Sequence, residues 1–229
     1  MSIIEISELT FQWPRQTKPL LEIPSLIVNQ GEKVFIKGPS GSGKSSLLSL
    51  LAGINEPTSG TIKLLGQPFS NLKSTSRDRF RADHIGYIFQ MFNLLPYLSV
   101  IDNVLLPCRF STLRKQQVNG EMYEQANQLL AQLHLPAECL NSPISELSIG
   151  QQQRVAAARA LIGKPKLLIA DEPTSALDHD NREAFIKLLM AECDKSDTTL
   201  LFVSHDETLE ALFDRSINLN TINLAVRGQ

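Results

Sequence analysis

GPSGSGKS, residues 38 to 45, follows directly on the apolar run Val34, Phe35 and Ile36 and fits the phosphate-cradling pattern G-x-x-x-x-G-K-[ST] at every fixed position. The chemistry needs these residue types. Gly38, Gly41 and Gly43 let the backbone turn tightly, and with Pro39, Ser40 and Ser42 they form a loop whose N–H groups point inward at phosphate oxygens. Lys44 adds a full positive charge near the β- and γ-phosphates, and Ser45 offers a hydroxyl to Mg²⁺. Ser46, Leu47 and Leu48 begin a helix whose positive dipole end faces the same anion. A surface turn rich in Gly and Ser would have little reason to set Lys and Ser here, between a buried strand and an amphipathic helix.

Working outward, short apolar runs at Val34 to Ile36, Ile85 to Phe89, Leu167 to Ala170 and Leu200 to Val203 predict strands buried on both faces of a mainly parallel central sheet. Ile3 to Phe11, Leu26 to Val28 and Thr61 to Leu65 alternate instead, with Gly60 and Gly66 as punctuation, and predict an antiparallel β flank. Residues 91 to 146 lack such alternation. They predict an inserted α-helical subdomain, with helices over Ile101 to Leu106 and over Gln116 to Leu133. The second is apolar at Val118, Met122, Ala126, Leu129, Leu130 and Leu133. The division expected is therefore one α/β domain over 1–229, with the core and β flank at about 1–90 and 147–229.

Bulk properties narrow the function classes. The chain has 229 residues, 42% hydrophobic and 20% charged, enough for a sizeable core. With 22 basic against 24 acidic residues it has no basic footprint, so no nucleic-acid partner is expected. Cys108, Cys139 and Cys193 show no metal spacing and favour a reducing compartment. No stretch of about 18 apolar residues and no signal-like N-terminus is seen, so neither a membrane span nor a leader is expected.

Three further stretches carry chemistry. Leu167 to Ala170 runs into Asp171 and Glu172, and the carboxyl ends of strands in an open α/β sheet face the ligand crevice. Asp171 would hold Mg²⁺, and Glu172 would orient or deprotonate the water that attacks the γ-phosphate. Leu200 to Val203 ends in Ser204 and His205, which puts a histidine at another strand end for a γ-phosphate contact. LSIGQ at 147–151 leads into RVAAARALI, a helix ended by Gly163 and Pro165, and its N-terminus is a second anion-binding element.

LSIGQ resembles the LSGGQ signature of the ATP-binding cassette (ABC) ATPases. The resemblance covers nearly the whole chain in order: GPSGSGKS, Gln90 after IGYIF, LSIGQ, LLIADE at 167–172, SALD at 175–178, and His205. It implies an ABC-type P-loop NTPase fold with ATP and Mg²⁺ as cofactors, and two cassettes stacked head to tail around two ATP. Position by position, Gln90 resembles the loop glutamine that reaches Mg²⁺ and water. Ser148, Gly150 and Gln151 resemble the signature residues that bind across the dimer. Asp178 resembles the aspartate that communicates between sites, and His205 the switch histidine. Lys44, Gln90, Glu172 and His205 are then the catalytic set, and Ser45, Gln90 and Asp171 the metal set. Phe11 occupies the place of the aromatic that stacks on adenine, with Trp13 as its rival.

Residues 77 to 107 resemble the corresponding stretch of lipoprotein-releasing and macrolide-exporter cassettes. This implies an integral-membrane permease subunit docking near Gln90 to Leu98, on a groove of Met91, Phe92, Leu94, Leu95, Tyr97 and Leu98. The cassette would then be cytoplasmic and peripheral on the inner face of the membrane. The alternatives are a soluble or regulatory cassette with slow or no turnover, and an importer subunit. Arg77, Asp78, Arg79, Arg81 and Asp83 read as a solvated helix face. The signature departs from its pattern at Ile149, where a β-branched residue replaces glycine and backbone strain is the concern.

Overall fold

The computed structural model of the chain describes residues 1–118, 121–175 and 179–226. In chain order its elements are β1 (Ser2–Phe11), β2 (Leu21–Asn29), β3 (Lys33–Lys37), α1 (Lys44–Leu51), β4 (Ser59–Leu64), α2 (Ser74–His84), β5 (Ile85–Ile88) and α3 (Val100–Phe110). There follow α4 (Thr112–Gln117), α5 (Met122–Gln132), α6 (Ile149–Leu161), β6 (Leu167–Asp171), α7 (His179–Ser196), β7 (Thr199–Val203), β8 (Arg215–Asn218) and α8 (Leu219–Ile222). One sheet has the order β2-β1-β4 and the other β5-β6-β7-β3-β8. The parallel sheet, antiparallel flank and helices match the fold class expected. By compactness the chain divides into two units, Met1–Arg81 with Leu201–Gln229, and Ala82–Leu200.

In the first unit, β1 pairs antiparallel with both β2 and β4. The alternation read from sequence buries Ile4, Ile6 and Leu9 of β1 together with Ile23, Val28, Ile62 and Leu64. A register shift between Ser7 and Thr10 coincides with Glu8 at φ 49, a bulge that bends the strand. Gly60, at φ 82, lies so close to the Glu8 carbonyl that no Cβ would fit. β3 runs parallel to β8, with Val34 opposite Arg215 and Ile36 opposite Ile217. Val34, Phe35 and Ile36 are fully buried, and the Phe35 ring stacks on Phe202 at 6.2 Å. The strand is thus covered on both faces, as its unbroken apolar run predicts. β8 is too short and mixed (RSIN) to show a periodicity of its own.

Arg77 corrects the reading of α2 as a wholly solvated face. Its side chain is buried, paired with Glu56, and packed over Gly53, where a Cβ would come within 2.7 Å of Arg77 Cγ.

In the second unit, β5 pairs parallel with β6, Ile85 opposite Leu167 and Tyr87 opposite Ile169. α6 packs against α3, α5 and β5. Its small residues Ala156, Ala157, Ala158 and Ala160 are buried, which lets its neighbours approach closely, and Gly86 leaves room for the Ala160 carbonyl. The single helix expected over 116–133 is instead two. α4 ends at Gln117, Val118 leaves helical geometry at ψ 11, and α5 starts at Met122. Asn119 and Gly120, a helix-stopping pair in the sequence, lie between them. Val118, Ala126, Leu130 and Leu133 are buried as their spacing predicts. Among the described residues no helix is long and apolar enough to cross a membrane.

Candidate functional site

The phosphate loop leaves the carboxyl end of β3 and enters α1 through Gly43, which caps the helix at φ 97. That left-handed angle suits glycine alone, and a Cβ there would stand 2.6 Å from Leu21 Cδ2. α1 has no acidic residue in its first turn, so the positive end of its dipole is not offset. Lys44 is buried, and its ammonium donates to the Gly38 carbonyl at 2.6 Å and the Pro39 carbonyl at 3.0 Å. The Ser42 hydroxyl is buried with no hydrogen-bond partner among the described residues. A helix N-terminus, an ammonium and an unpartnered hydroxyl suit polyanionic phosphate. Pro39, Ser40, Gly41 and Ser45 line the exposed rim, and Ser46 is half-buried.

Two other predicted residues belong to this unit. His205 is exposed one residue past buried Ser204, whose hydroxyl accepts the Asp206 N–H at 3.1 Å. Phe11 is only 4% exposed, with its ring edge-on to Trp13 at 5.0 Å, whereas Trp13 is 39% exposed. A ring stacks on a base only through a free face. Phe11 is the more buried of the two aromatics and Trp13 the more exposed.

In the second unit, Asp171 ends β6, and the Tyr87 phenol on neighbouring β5 lies near enough to feel its charge. Burial first, and then the Asp171 charge, push the Tyr87 phenol far above its ordinary range, so it stays protonated. Glu172 takes φ 45, and Gln90 Nε2 stands 3.4 Å from Glu172 Oε2. That bond is long and weak, but it sets the amide and the carboxylate side by side. Asp178 lies outside the described residues.

Ser148 is the N-cap of α6 in a reciprocal capping box. Its hydroxyl accepts the Gln151 N–H at 3.2 Å, and Gln151 Oε1 accepts the Ser148 N–H at 2.8 Å. Gln151 is therefore committed to holding the turn. Ile149 is the first residue of the helix, with helical backbone and 53% of its surface exposed. The strain expected of a β-branched residue there is absent.

Sequence reasoning missed the polar side chains that hold this unit's loops. Asn103, fully buried on α3, donates to the carbonyls of Leu95, Leu98 and Ser99 and accepts the Leu95 N–H at 2.8 Å. Arg159 on α6 donates to the Asn93 carbonyl at 2.7 Å and to the Phe92 carbonyl. Gln153 on α6 donates to the Pro173 carbonyl at 2.9 Å. Arg114 on α4 reaches the carbonyls of Ile85 at 2.6 Å, Ala160 and Ile162. Its burial lowers the guanidinium pKa to about 10, and it remains charged at neutral pH. In the segment after Gln90, Met91 and Tyr97 are exposed, Leu94, Leu95 and Leu98 are half-buried, and Phe92 is buried. Phe92 therefore belongs to the core rather than to the expected groove.

Comparison with known proteins places these features in one family. The family profile described as ABC transporter matches residues 21–175. The lipoprotein-releasing system ATP-binding protein LolD of Psychrobacter arcticus is 42% identical over 194 residues, which cover 85% of this chain and 84% of that protein. An uncharacterized ABC transporter ATP-binding protein, YbbA of Escherichia coli K12, is also 42% identical, over 85% of this chain and 83% of its own length. Among solved structures, the dimeric bacterial ABC transporter cassette MJ0796 superposes with a TM-score of 0.82 at 32% identity, covering 94% of this chain and 93% of the other. A post-hydrolysis dimer of MJ0796 bound to ADP and Pi gives a TM-score of 0.81 at 32% identity over the same shares.

Proposed function

The chain belongs to the ABC transporter family as an ATP-binding, ATP-hydrolysing cassette, and from that premise we propose how its residues divide the work. The observation that carries the reading is the cradle. Lys44 turns its ammonium onto the loop's own carbonyls while the buried Ser42 hydroxyl lacks a partner. Such a loop gains when phosphate oxygens replace those carbonyls as acceptors.

In this reading Lys44 and the loop N–H groups hold the β- and γ-phosphates of ATP, and His205 touches the γ-phosphate. Ser45, Asp171 and Gln90 would hold Mg²⁺, an oxygen-donor set that fits that hard cation. The ion, when bound, supplies neutralisation of charge on the phosphate oxygens. Glu172 accepts a hydrogen bond from the attacking water and takes its proton as the new O–P bond forms and the bond to the ADP oxygen breaks. Gln90, beside Glu172, orients that water. Trp13 offers the exposed ring face for adenine.

Ser148 contributes its hydroxyl, and Gly150 its N–H, to the nucleotide held by the phosphate loop of a second copy, and Asp178 relays between the two sites. Gln151 acts by capping the helix that presents them. The segment from Gln90 to Leu98 receives an integral-membrane permease, which places the cassette on the cytoplasmic face of the membrane. The lipoprotein-release and macrolide-export type is the subclass we favour, supported by the likeness to LolD. Ile149 in relaxed helical geometry removes the reason to expect a cassette without turnover.

Glu172→Gln tests the assignment. Turnover should fall by about 10³-fold, while an ATP-bound dimer persists on size-exclusion chromatography. Turnover at the wild-type rate in a purified complex would show that another group is the base.

A further inference from the structure

Helix α6 carries more than Ser148. In a helix otherwise buried through Val155 and a run of alanines, Gln153 is 1% exposed and Arg159 is 8% exposed. A buried amide or guanidinium is tolerated only when hydrogen bonded, so their partners are informative. Each reaches the backbone of a loop that carries a residue of the proposed chemistry.

Gln153 Nε2 donates to the carbonyl of Pro173, the residue directly after Glu172. Glu172 itself sits at φ 45, a region that non-glycine residues leave unless the surroundings hold them there. Arg159 donates to the carbonyls of Phe92 and Asn93. These follow Gln90 closely and are also left-handed, at φ 59 and φ 50. Burial draws the Arg159 pKa below its ordinary value but leaves the group charged, and a charged donor makes the stronger bond. The strained backbone on both the Glu172 side and the Gln90 side is thus gripped from one helix, and the first residue before that helix is Ser148.

We propose that Gln153 and Arg159 are positioning residues that tie the helix bearing Ser148 to the backbone of Glu172 and of the Gln90 loop in the same chain. The proposal rests on the hydrolysis reading above. An α-helix is stiff over these distances, Gln153 lying about 8 Å and Arg159 about 17 Å along the axis from Ser148. Seating a second copy's γ-phosphate on Ser148 and Gly150 therefore acts on Glu172 and Gln90 in cis. The two sites of a dimer would then sense one another's nucleotide through α6 as well as through the Asp178 segment.

The test is steady-state ATP turnover of the full chain, with thermal unfolding measured on the same preparations. Gln153→Met keeps the length of the side chain and removes its N–H donors. Its kcat should fall about 10- to 100-fold, the scale of a small misplacement of reacting groups, with KM for ATP within about twofold and the protein still folded. Arg159→Met should behave likewise, and Arg159→Lys should recover part of the loss by restoring a charged donor. In a Glu172→Gln background, Gln153→Met should change the residual rate less than about twofold, because residues acting through one group are non-additive.

A folded Gln153→Met with wild-type kcat overturns the proposal, as does a loss that multiplies with that of Glu172→Gln. If Gln153→Met does not fold, the Arg159 pair decides: equal kcat in wild type, Arg159→Lys and Arg159→Met refutes the tether. A wild-type chain that does not turn over ATP overturns the hydrolysis reading itself. Turnover in wild type matched by the variants overturns only the role of α6.

Discussion

The phosphate loop and the signature helix are both helix N-termini offered to anions, yet they are built by opposite means. The loop at 38–45 is made almost wholly of local backbone. Gly43 at φ 97 turns the chain, α1 supplies its dipole, and Lys44 bends back onto carbonyls five and six residues away. The end of α6 has a local capping box, but the helix behind it is held by long-range bonds. Gln153 reaches a residue 20 positions away, Arg159 residues 66 and 67 away, and Arg114 meets its C-terminus from 46 and 48 away. The loop can be specified by one short motif, whereas the helix is specified by the fold around it. Substitution should therefore damage the loop in function and the helix anchors in stability or in rate.

The largest effect should come from the loop. Lys44→Ala removes the ammonium of the cradle, while the positive φ angles of the turn are carried by Gly41 and Gly43. Loss of a preorganised charged donor at a phosphoryl centre costs about 10³-fold in rate, equivalent to about 4 kcal/mol. Turnover should thus be nearly abolished, with an unfolding midpoint close to wild type. A variant that lost stability in proportion to activity would break the contrast, by showing that the loop also depends on Lys44 for its fold.

Arg114→Met probes the other side. It strips the carbonyls of Ile85, Ala160 and Ile162 of a buried, charged donor. Leaving such groups unsatisfied costs about 3 kcal/mol, or a fall of about 6–12 °C in the midpoint for a chain of this size. KM for ATP, measured on the folded protein, should stay within about twofold. An unchanged midpoint would mean that the end of α6 is held by packing alone.

This contrast also explains what could be read from the sequence. The loop, the strand-end Asp171 and Glu172, His205 and the helix start at LSIGQ are local patterns, and periodicity placed the strands that carry most of them. The burial of Phe11 was not legible, because a motif position does not say which way a strand residue points. Its neighbour Trp13, just past the end of β1, is the one left exposed. Arg77 read as solvated because a charge run on a helix gives no hint that Gly53 leaves room for one of its members. Gln153, Arg159 and Arg114 gave no signal, and Asn103 none of its anchoring role, since a buried polar residue looks like an exposed one until the distant carbonyl that holds it is known. β8 was invisible for a related reason: four mixed residues become a strand only because β3 is beside them.

Ile149 offers the smallest effect and the finest test. It departs from the signature pattern, but it stands at the first position of α6 with helical backbone, and the capping box uses Ser148 and Gln151 without it. Ile149→Gly should therefore relieve no strain. It adds backbone freedom to the unfolded chain, at a cost of about 0.5–1 kcal/mol or less in a first turn. The midpoint should fall by no more than about 2–4 °C, and turnover should move less than about twofold. The side chain is 53% exposed beside Ser148, on the surface proposed to meet a second copy. A rise in turnover above about tenfold would mean that the isoleucine itself obstructs that meeting. The signature end would then be limited by a side chain at its surface, and the weight now given to the buried anchors behind it would shift forward to the interface.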